Sequence, residues 1–177
     1  NIDFIVCFFH HCAYSTTDSH ASDGGVRAAW CELFDRYQVD LVLQGHNHVY
    51  ERTDPIRGDR PTKVAGDNST VDAETDGTVY YTVGCAGRPR YGFQPGEPES
   101  FRGHEAPDTF VPNSYVWTAD GKKKAEAVGW SRVRFRNYAF IRVDVRPGQL
   151  LSEMDVTAVD EHGREFDKVT YRRRVRA

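Results

Sequence analysis

The chain reads VDLVLQGHNHVYE from Val39 to Glu51, and this stretch decides the fold. Its apolar start predicts a buried strand, and Gly45 breaks that strand before His46 and His48. In extended backbone, side chains two residues apart point to the same side, so both imidazoles are expected to converge at the strand's carboxyl end. Open α/β sheets place their ligand sites at that end. The pattern predicts a metal site rather than a polar loop that happens to hold two histidines.

An earlier apolar run, IVCFF at residues 5–9, is typical of a strand buried on both faces, and it ends in His10 and His11. Strand, helix and strand within about 40 residues form a βαβ unit, whose two strands are parallel. Their carboxyl ends then lie on one edge of the sheet. We therefore expect His10, His46 and His48 to meet at that edge.

The segment between the two strands has the apolar period of a helix. Apolar side chains recur on one face, at Val26, Trp30, Leu33, Phe34 and Tyr37. Asp23 is the expected N-cap, and the helix is expected to end near Tyr37 or Gln38.

Two motifs resemble a known family. The strand ending in His10, followed by Tyr14 and His20, and the stretch GHNHVYER from Gly45 onward resemble calcineurin-like metallophosphoesterases of the purple acid phosphatase branch. That branch usually shows His-x-Pro-x-Tyr and then Gly-His-x-His-x-Tyr-Glu-Arg. The second motif is intact, whereas Cys12 stands where the first has proline, so the loop after the first strand is expected to differ.

The likeness continues at GTVYYTVG, residues 77–84, and in the closing strands of residues 138–171. The fold it implies is α/β: the C-terminal half of a four-layer αββα sandwich, in which two mixed sheets pack face to face with helices outside. Residues 1–177 are then expected to be the C-terminal part of a single catalytic domain, with long loops at 53–76 and 86–130.

The resemblance also implies a partner. The family takes half of its metal ligands from an N-terminal half, in motifs of the form Gly-Asp-x-Gly, Gly-Asp-x-x-Tyr and Gly-Asn-His-Glu/Asp, and none of these occurs here. We therefore expect the chain to need that N-terminal half, on the same or a separate chain.

The site roles follow from the resemblance. It implies hydrolysis of a phosphate ester by a metal-activated water at a two-metal centre, with iron beside zinc, manganese or a second iron. His10 and His46 would bind one metal and His48 the other. His20 would protonate the leaving group or hydrogen-bond the phosphoryl group. Three residues are expected to orient the ligands: His11, Tyr14 and Asn47. Glu51 and Arg52 are expected to brace the loop by an ion pair.

Charge balance supports the need for further ligands. Two divalent ions about 4 Å apart repel by roughly 16 kcal/mol at an effective dielectric near 20. Three neutral imidazoles cannot offset this repulsion, although alone they could hold one zinc ion. Two alternatives therefore stay open: a non-catalytic or accessory fragment, and a mononuclear three-histidine zinc hydrolase.

Composition limits the other function classes. The 177 residues are 39% hydrophobic and 28% charged, enough for one core but not for two large ones. A formal net charge of −3 gives no reason to expect nucleic acid or an anionic membrane as a partner. No apolar run approaches the roughly 20 residues that a membrane helix needs. The family resemblance implies a secreted or extracytoplasmic protein.

Alternating apolar residues after Ser131 predict antiparallel strands that finish a sheet. The first two are broken near Arg136, and turns are expected at Pro147-Gly148 and His162-Gly163. Residues 172–174, three arginines, are expected at a solvated edge, and residues 122–124, three lysines, in a solvated turn. The aromatic residues of the 86–130 stretch favour a cover over the site, although a surface insertion without substrate contact is an equal alternative.

Overall fold

The computed structural model describes residues 2–93 and 114–175. The described residues contain one helix, α1 (Val26–Tyr37), and thirteen strands. In chain order the strands are β1 (Val6–Phe9), β2 (Leu41–Gln44), β3 (Tyr50–Thr53), β4 (Ile56–Arg57), β5 (Arg60–Pro61), β6 (Ser69–Val71), β7 (Val79–Val83), β8 (Ser114–Trp117), β9 (Lys123–Glu126), β10 (Ser131–Phe135), β11 (Ala139–Arg146), β12 (Leu151–Asp160) and β13 (Glu165–Arg174).

The first sheet has the order β1-β2-β7-β3-β10. Strands β1, β2 and β7 are parallel, whereas β3 is antiparallel to β7 and to β10. The predicted βαβ unit is therefore confirmed, and α1 ends at Tyr37 as expected. Its strands end at the same edge of the sheet, which positions the histidine segments as neighbours.

Strand β1 differs from the expectation of a strand buried on both faces. It is the edge strand of its sheet, and the side chain of Phe8 is 80% exposed. The apolar run correctly predicted a strand, but burial requires neighbours, and β1 pairs only with β2 among the described strands. An uncovered edge of this kind is a ready site for pairing with another strand.

The second sheet has the order β11-β12-β13-β6 and confirms three of the predicted closing strands and both turns, whereas the first of the predicted strands, β10, belongs to the first sheet. The fourth strand of the second sheet was not predicted. Residues 53–76 were expected to form a surface loop, yet β6 pairs in parallel with β13, and Ile56, Ala65 and Val71 are buried. The strands of this stretch span only two or three residues each, too short to show an apolar period.

Three layers position the site. Apolar side chains of both sheets form one cluster between them, including Leu41, Tyr81, Met154 and Val169. Helix α1 packs its buried residues on the other face of the first sheet, with Val42 and Tyr80 among its contacts. The fold is thus α/β with two mixed sheets, as expected, and it is mostly sheet. The described residues place a helix on only one outer face.

The predicted ion pair between Glu51 and Arg52 is wrong, because successive strand residues face opposite sides of a sheet. Arg52 faces the second sheet, where its Nε donates to Asp167 (2.6 Å). Glu51 faces the other side and accepts hydrogen bonds from the amide and the hydroxyl of Thr16 (2.8 and 2.6 Å). Both residues brace the structure, but with different partners.

The arginine run at the chain end is only partly solvated. Arg172 and Arg174 are exposed as expected, whereas Arg173 is buried and its Nε donates to Asp40 at 3.2 Å. Alternation along β13 explains the difference, since the middle residue faces the first sheet. This contact joins the last strand to the start of β2.

A hairpin of β8 and β9 covers part of the loop that carries His20. The amide of Trp117 donates to the Ser22 carbonyl (3.0 Å), and Arg27 of α1 pairs with Glu126 on β9. Of the predicted lysine turn, two residues belong to β9 and only Lys122 lies in the turn. Residues 94–113 of the expected cover lie outside the described residues. No helix in the described part of the chain is long and apolar enough to span a membrane.

Candidate metal centre

His10 and His46 follow the carboxyl ends of the neighbouring parallel strands β1 and β2. The Gly45 amide donates to the His10 carbonyl (3.0 Å) and holds the two strand ends together. Nδ1 of His46 then lies 2.9 Å from Nε2 of His10. Two ligands of one tetrahedral zinc ion, with bonds of about 2.0–2.1 Å, lie roughly 3.4 Å apart. The donor pair therefore suits a single metal ion.

His48 points away from this pair. His46 has a left-handed backbone (φ 51°), so the extended geometry expected from the sequence does not hold. Nδ1 of His48 lies 2.8 Å from the Pro89 carbonyl, and its ring stacks on Tyr91 with 4.1 Å between ring centroids. A carbonyl only accepts, so Nδ1 donates, and Nε2 is the nitrogen that remains for a metal ion. Metal-binding histidines are commonly oriented in this way.

The expectation that Asp23 is the N-cap of the helix is wrong. The helix N-cap is Gly25, without a side-chain cap, and Asp23 instead faces the histidines. Its Oδ2 lies 3.2 Å from Nε2 of His46 and 3.1 Å from Nδ1 of His20. The signal that could have found it is an acidic residue three positions after a loop histidine, which a cap assignment obscured.

His20 lies beside His46, with 4.3 Å between ring centroids. Its side chain is 44% exposed, and the ring of Tyr91 is 5.7 Å away on another side. The expected catalytic residue thus stands at the solvent side of the histidine group, held by Asp23. Its role stays a prediction.

The three residues expected to orient the ligands have different surroundings. His11 lies with its ring centroid 4.8 Å from that of His46. Asn47 is buried and donates to the Ala21 carbonyl (2.9 Å), which ties the His46 loop to the loop of His20. The hydroxyl of Tyr14 donates instead to Asp59 (2.6 Å).

The position of Tyr14 corrects the expectation for that residue. Its ring packs against Tyr80 and Trp130 under the guanidinium of Arg27, in the layer between α1 and the first sheet. The described contacts of its side chain include none of the site histidines. Its carbonyl does accept from Gln44, so it supports the strand end through the backbone.

Burial sets the protonation of two groups here. Desolvation lowers the pKa of His46, so its ring is neutral at pH 7 and offers a lone pair. Burial raises the pKa of Cys12 to about 12, so this residue is a thiol and not a thiolate ligand. Its Sγ lies 3.2 Å from the Gly45 carbonyl, a contact that proline could not make.

Two cavities lie near the described surface. A cleft of about 450 Å³ opens beside His10, between the exposed Phe8 and Ile141 of the second sheet. Another, of about 390 Å³, lies between α1 and the β8–β9 hairpin and shares no lining residue with the histidine group. Of these two cavities in the described part of the chain, the cleft beside His10 borders the candidate centre.

Comparisons with known proteins give the chain its relatives. No family model matches it. An uncharacterized protein of Mycobacterium tuberculosis is 36% identical over 169 residues, covering 84% of this chain and 29% of that protein. Purple acid phosphatase 21 of Arabidopsis thaliana is 34% identical over 85 residues, 48% of this chain and 17% of the relative. Probable inactive purple acid phosphatase 24 of Arabidopsis thaliana is 35% identical over 79 residues, which cover 42% of this chain and 12% of that protein.

A solved structure shows the same fold. The purple acid phosphatase from yellow lupin seeds superposes with a TM-score of 0.61 and 17% identity, covering 95% of this chain and 24% of that one. The chain thus spans less than a third of the length of the relatives described here.

Proposed function

We propose, from the likeness of this chain to the C-terminal region of purple acid phosphatases within the calcineurin-like metallophosphoesterases, that it contributes half of a metal-dependent phosphatase centre. The observation that carries the proposal is the 2.9 Å approach of His46 Nδ1 to His10 Nε2, beyond two parallel strands. His48, oriented by Pro89, offers its Nε2 separately. This arrangement supports His10 and His46 on one metal and His48 on a second.

The residues have distinct tasks in this proposal. Bound metals would supply positive charge for the phosphoryl oxygens and a water of lowered pKa. His20, half exposed beside His46, is placed to donate a hydrogen bond or a proton to the phosphate ester. Asp23 accepts a hydrogen bond from Nδ1 of His20 and holds the orientation of its ring. Tyr91 stacks on His48 and limits the directions from which substrate can approach.

The missing carboxylates are proposed to come from the N-terminal half. A pair of metal ions needs anionic bridging ligands, and the described histidine ligands carry no charge to offset the repulsion between the ions. The exposed edge of β1 and the cleft beside His10 offer a place for those residues. A strand paired in parallel with β1 would present its carboxyl end next to His10.

The substrate class is proposed as a small-molecule phosphate ester. The metals are proposed to be iron with zinc, manganese or a second iron, and the location secreted or extracytoplasmic, as the family likeness suggests. The net charge of −3 supports no role for nucleic acid.

A non-catalytic role is the second candidate, because one relative carries the printed name of a probable inactive purple acid phosphatase. The three-histidine zinc hydrolase is less well supported. His48 contacts Pro89 and Tyr91, whereas its described contacts include neither His10 nor His46.

The test is elemental analysis and phosphatase assay of a protein that contains this chain together with the N-terminal half. Two metals per molecule and turnover of p-nitrophenyl phosphate are expected, with activity falling by orders of magnitude in His46→Ala and His48→Ala. Full activity and full metal content in both variants would refute the ligand assignment. Two bound metals without turnover would favour the non-catalytic role.

A further inference from the structure

The imidazole of His46 has a different neighbour on each ring nitrogen. Nδ1 lies 2.9 Å from Nε2 of His10, and Nε2 lies 3.2 Å from Oδ2 of Asp23. A neutral imidazole has one lone pair and one N–H. His46 can therefore bind a metal ion through one nitrogen and donate a hydrogen bond through the other, and the proposed phosphatase centre uses only the Nδ1 side.

Further ligand atoms for a separate metal site lie on the Nε2 side of His46. His11, Asp23 and His46 each offer one ligand atom, and these atoms lie within 4.8 Å of one another. Ligands of one zinc ion lie roughly 3.4 Å apart, so changes of up to about 1.4 Å in the distances between these atoms would complete the set. Two histidines and one carboxylate, with water in the fourth position, form a known zinc arrangement.

The electrostatics of Asp23 favour a cation at this place. Its side chain is only 14% exposed, and its Oδ1 is buried without a hydrogen-bond partner. Its described ion-pair partners are His20 and His46, with no lysine or arginine. A buried carboxylate without a permanent positive charge is costly, and a bound metal ion removes that cost.

The position of His11 is also constrained. A Cβ on Gly24 would lie 2.8 Å from the His11 ring, so only glycine allows the ring to pack against the loop that carries Asp23. The ring thereby stands beside the carboxylate and 4.8 Å, centroid to centroid, from His46.

We propose that this chain by itself holds one zinc ion on His11, Asp23 and Nε2 of His46. In this state Nδ1 of His46 carries the proton and donates to His10, the outer hydrogen bond that a zinc-bound histidine commonly makes. The site needs no ligand from another half, because its carboxylate is the chain's own. It does not rest on the proposed function.

The two uses of His46 exclude each other, since one imidazole supplies one lone pair. When carboxylates of an N-terminal half become available at the Nδ1 side, the ion is expected to move across the ring. Asp23 then accepts the Nε2 proton of His46. Assembly would thus replace His11 and Asp23 as zinc ligands by His10 and the carboxylates of the N-terminal half.

The test is zinc titration by calorimetry of the 177-residue chain carrying Phe8→Lys, which replaces an 80% exposed apolar side chain and should keep the chain in solution; circular dichroism checks its folding. One ion per chain is expected. Asp23→Asn and His11→Gln should each lower the affinity by more than about 100-fold, beyond the 10–100-fold typical of outer hydrogen-bond partners. The matched control His162→Gln, at an exposed histidine beside Glu161, should change nothing, and His10→Gln should stay within about 100-fold.

A second readout is independent of the variants. In the ¹⁵N-histidine-labelled chain, zinc should shift the Nε2 resonance of His46 and leave Nδ1 protonated. Zinc on Nδ1, or loss of binding in His10→Gln with binding retained in Asp23→Asn, would overturn the proposal. So would a folded chain that binds no zinc. None of these outcomes involves phosphatase activity, so the proposed function stands or falls separately.

Discussion

At the scale of single residues, the chemistry of this molecule depends on the surroundings of His46. Its left-handed backbone turns His48 toward Pro89 and leaves His46 among His10, His11 and Asp23. Positive φ values are uncommon for residues with a side chain and concentrate at functional sites. The turn is therefore the local feature that separates the two histidines of the motif.

His20 provides a test of acid catalysis. A general acid matters most when the leaving group is poor, so His20→Ala should slow alkyl phosphate hydrolysis far more than aryl phosphate hydrolysis, by up to about 10²–10⁴-fold. The measurement is kcat on both substrates, using the chain joined to its N-terminal half. Equal losses would indicate phosphoryl binding instead, and unchanged rates would make His20 a surface residue.

Gly24 and Gly25 form a matched pair. Both have a positive φ, near 70°, but a Cβ at Gly24 would meet His11 whereas a Cβ at Gly25 meets nothing within 4 Å. Gly25→Ala should cost about 1–2 kcal/mol of unfolding free energy. Gly24→Ala should cost more and also lower zinc affinity, measured by urea unfolding and calorimetry. Identical behaviour of the two variants would contradict the packing of His11 against this loop.

At the scale of elements, buried ionic contacts fasten the two sheets together. Asp167 on β13 accepts from Arg52 through both carboxylate oxygens, at 2.6 and 2.8 Å, and from the hydroxyl of Tyr50. Arg173 on the same strand reaches Asp40 at the start of β2. These contacts fix how the second sheet sits on the sheet that carries the site.

Removing one member of the buried pair should be costly. Asp167→Ala leaves the guanidinium of Arg52 buried without its counter-charge and should lower the free energy of unfolding by about 3–5 kcal/mol. The control is Asp144→Ala, which breaks an exposed pair with Arg142 and should have little effect. Urea unfolding measures both, and equal effects would argue against the pair as a fastener between the sheets.

The outer face of the second sheet should confer acid sensitivity. Hydrogen bonding to Arg146 holds the pKa of Asp155 well below its ordinary value, with further contributions from Thr170 and Lys168. The unfolded chain then binds the extra proton below about pH 4, so stability present at neutral pH is lost as the pH falls through that region. Asp155→Asn and Arg146→Gln should both reduce the loss of unfolding free energy between pH 6 and pH 2, measured by urea unfolding across that range. If the dependence of unfolding free energy on pH were unchanged in both variants, Asp155 would not be the source of the acid sensitivity.

At the scale of the whole molecule, the first sheet is open on one side. Its edge strand β1 exposes Phe8, and the neighbouring inner face of the second sheet exposes Val143 and Val145. Large uncovered apolar surfaces of this kind mark contact sites or aggregation hazards. The candidate centre borders the same side, through the cleft at His10.

The 177-residue chain alone should therefore be poorly soluble, bind at most one metal ion and show no phosphatase activity. Together with the N-terminal half it should gain a second metal and turnover. Phe8→Lys should improve the solubility of the chain alone and weaken that assembly, whereas Val64→Lys, at an exposed position in the 53–76 stretch, should do neither. Light scattering measures solubility and assembly, and metal analysis measures the number of bound ions. A soluble, monomeric chain that hydrolyses phosphate esters with two bound metals would contradict it.

The apolar pattern was enough to locate β1, α1, β2 and the closing strands, because strand and helix periods can be read from residues close together in the chain. Strand β7 was expected from the family resemblance, and the short strands β3, β4, β5, β6, β8 and β9 were not predicted. The βαβ rule then placed His10 and His46 beyond neighbouring strand ends. The motif and its spacing indicated His10, His46 and His48 as metal ligands, an assignment that stays a prediction, and gave no indication of Asp23.

Which side chains meet could not be predicted from the local pattern. The sign of φ at His46, the turn of Asp23 toward the histidines and the pairing of Arg52 with Asp167 depend on contacts between distant segments. Strand β6 likewise owes its existence to β13, about a hundred residues later in the chain. The apolar period of a segment shows which face of a helix or strand is buried. The partner of a polar side chain depends on how distant segments pack together, and the period of one segment carries no information about that packing.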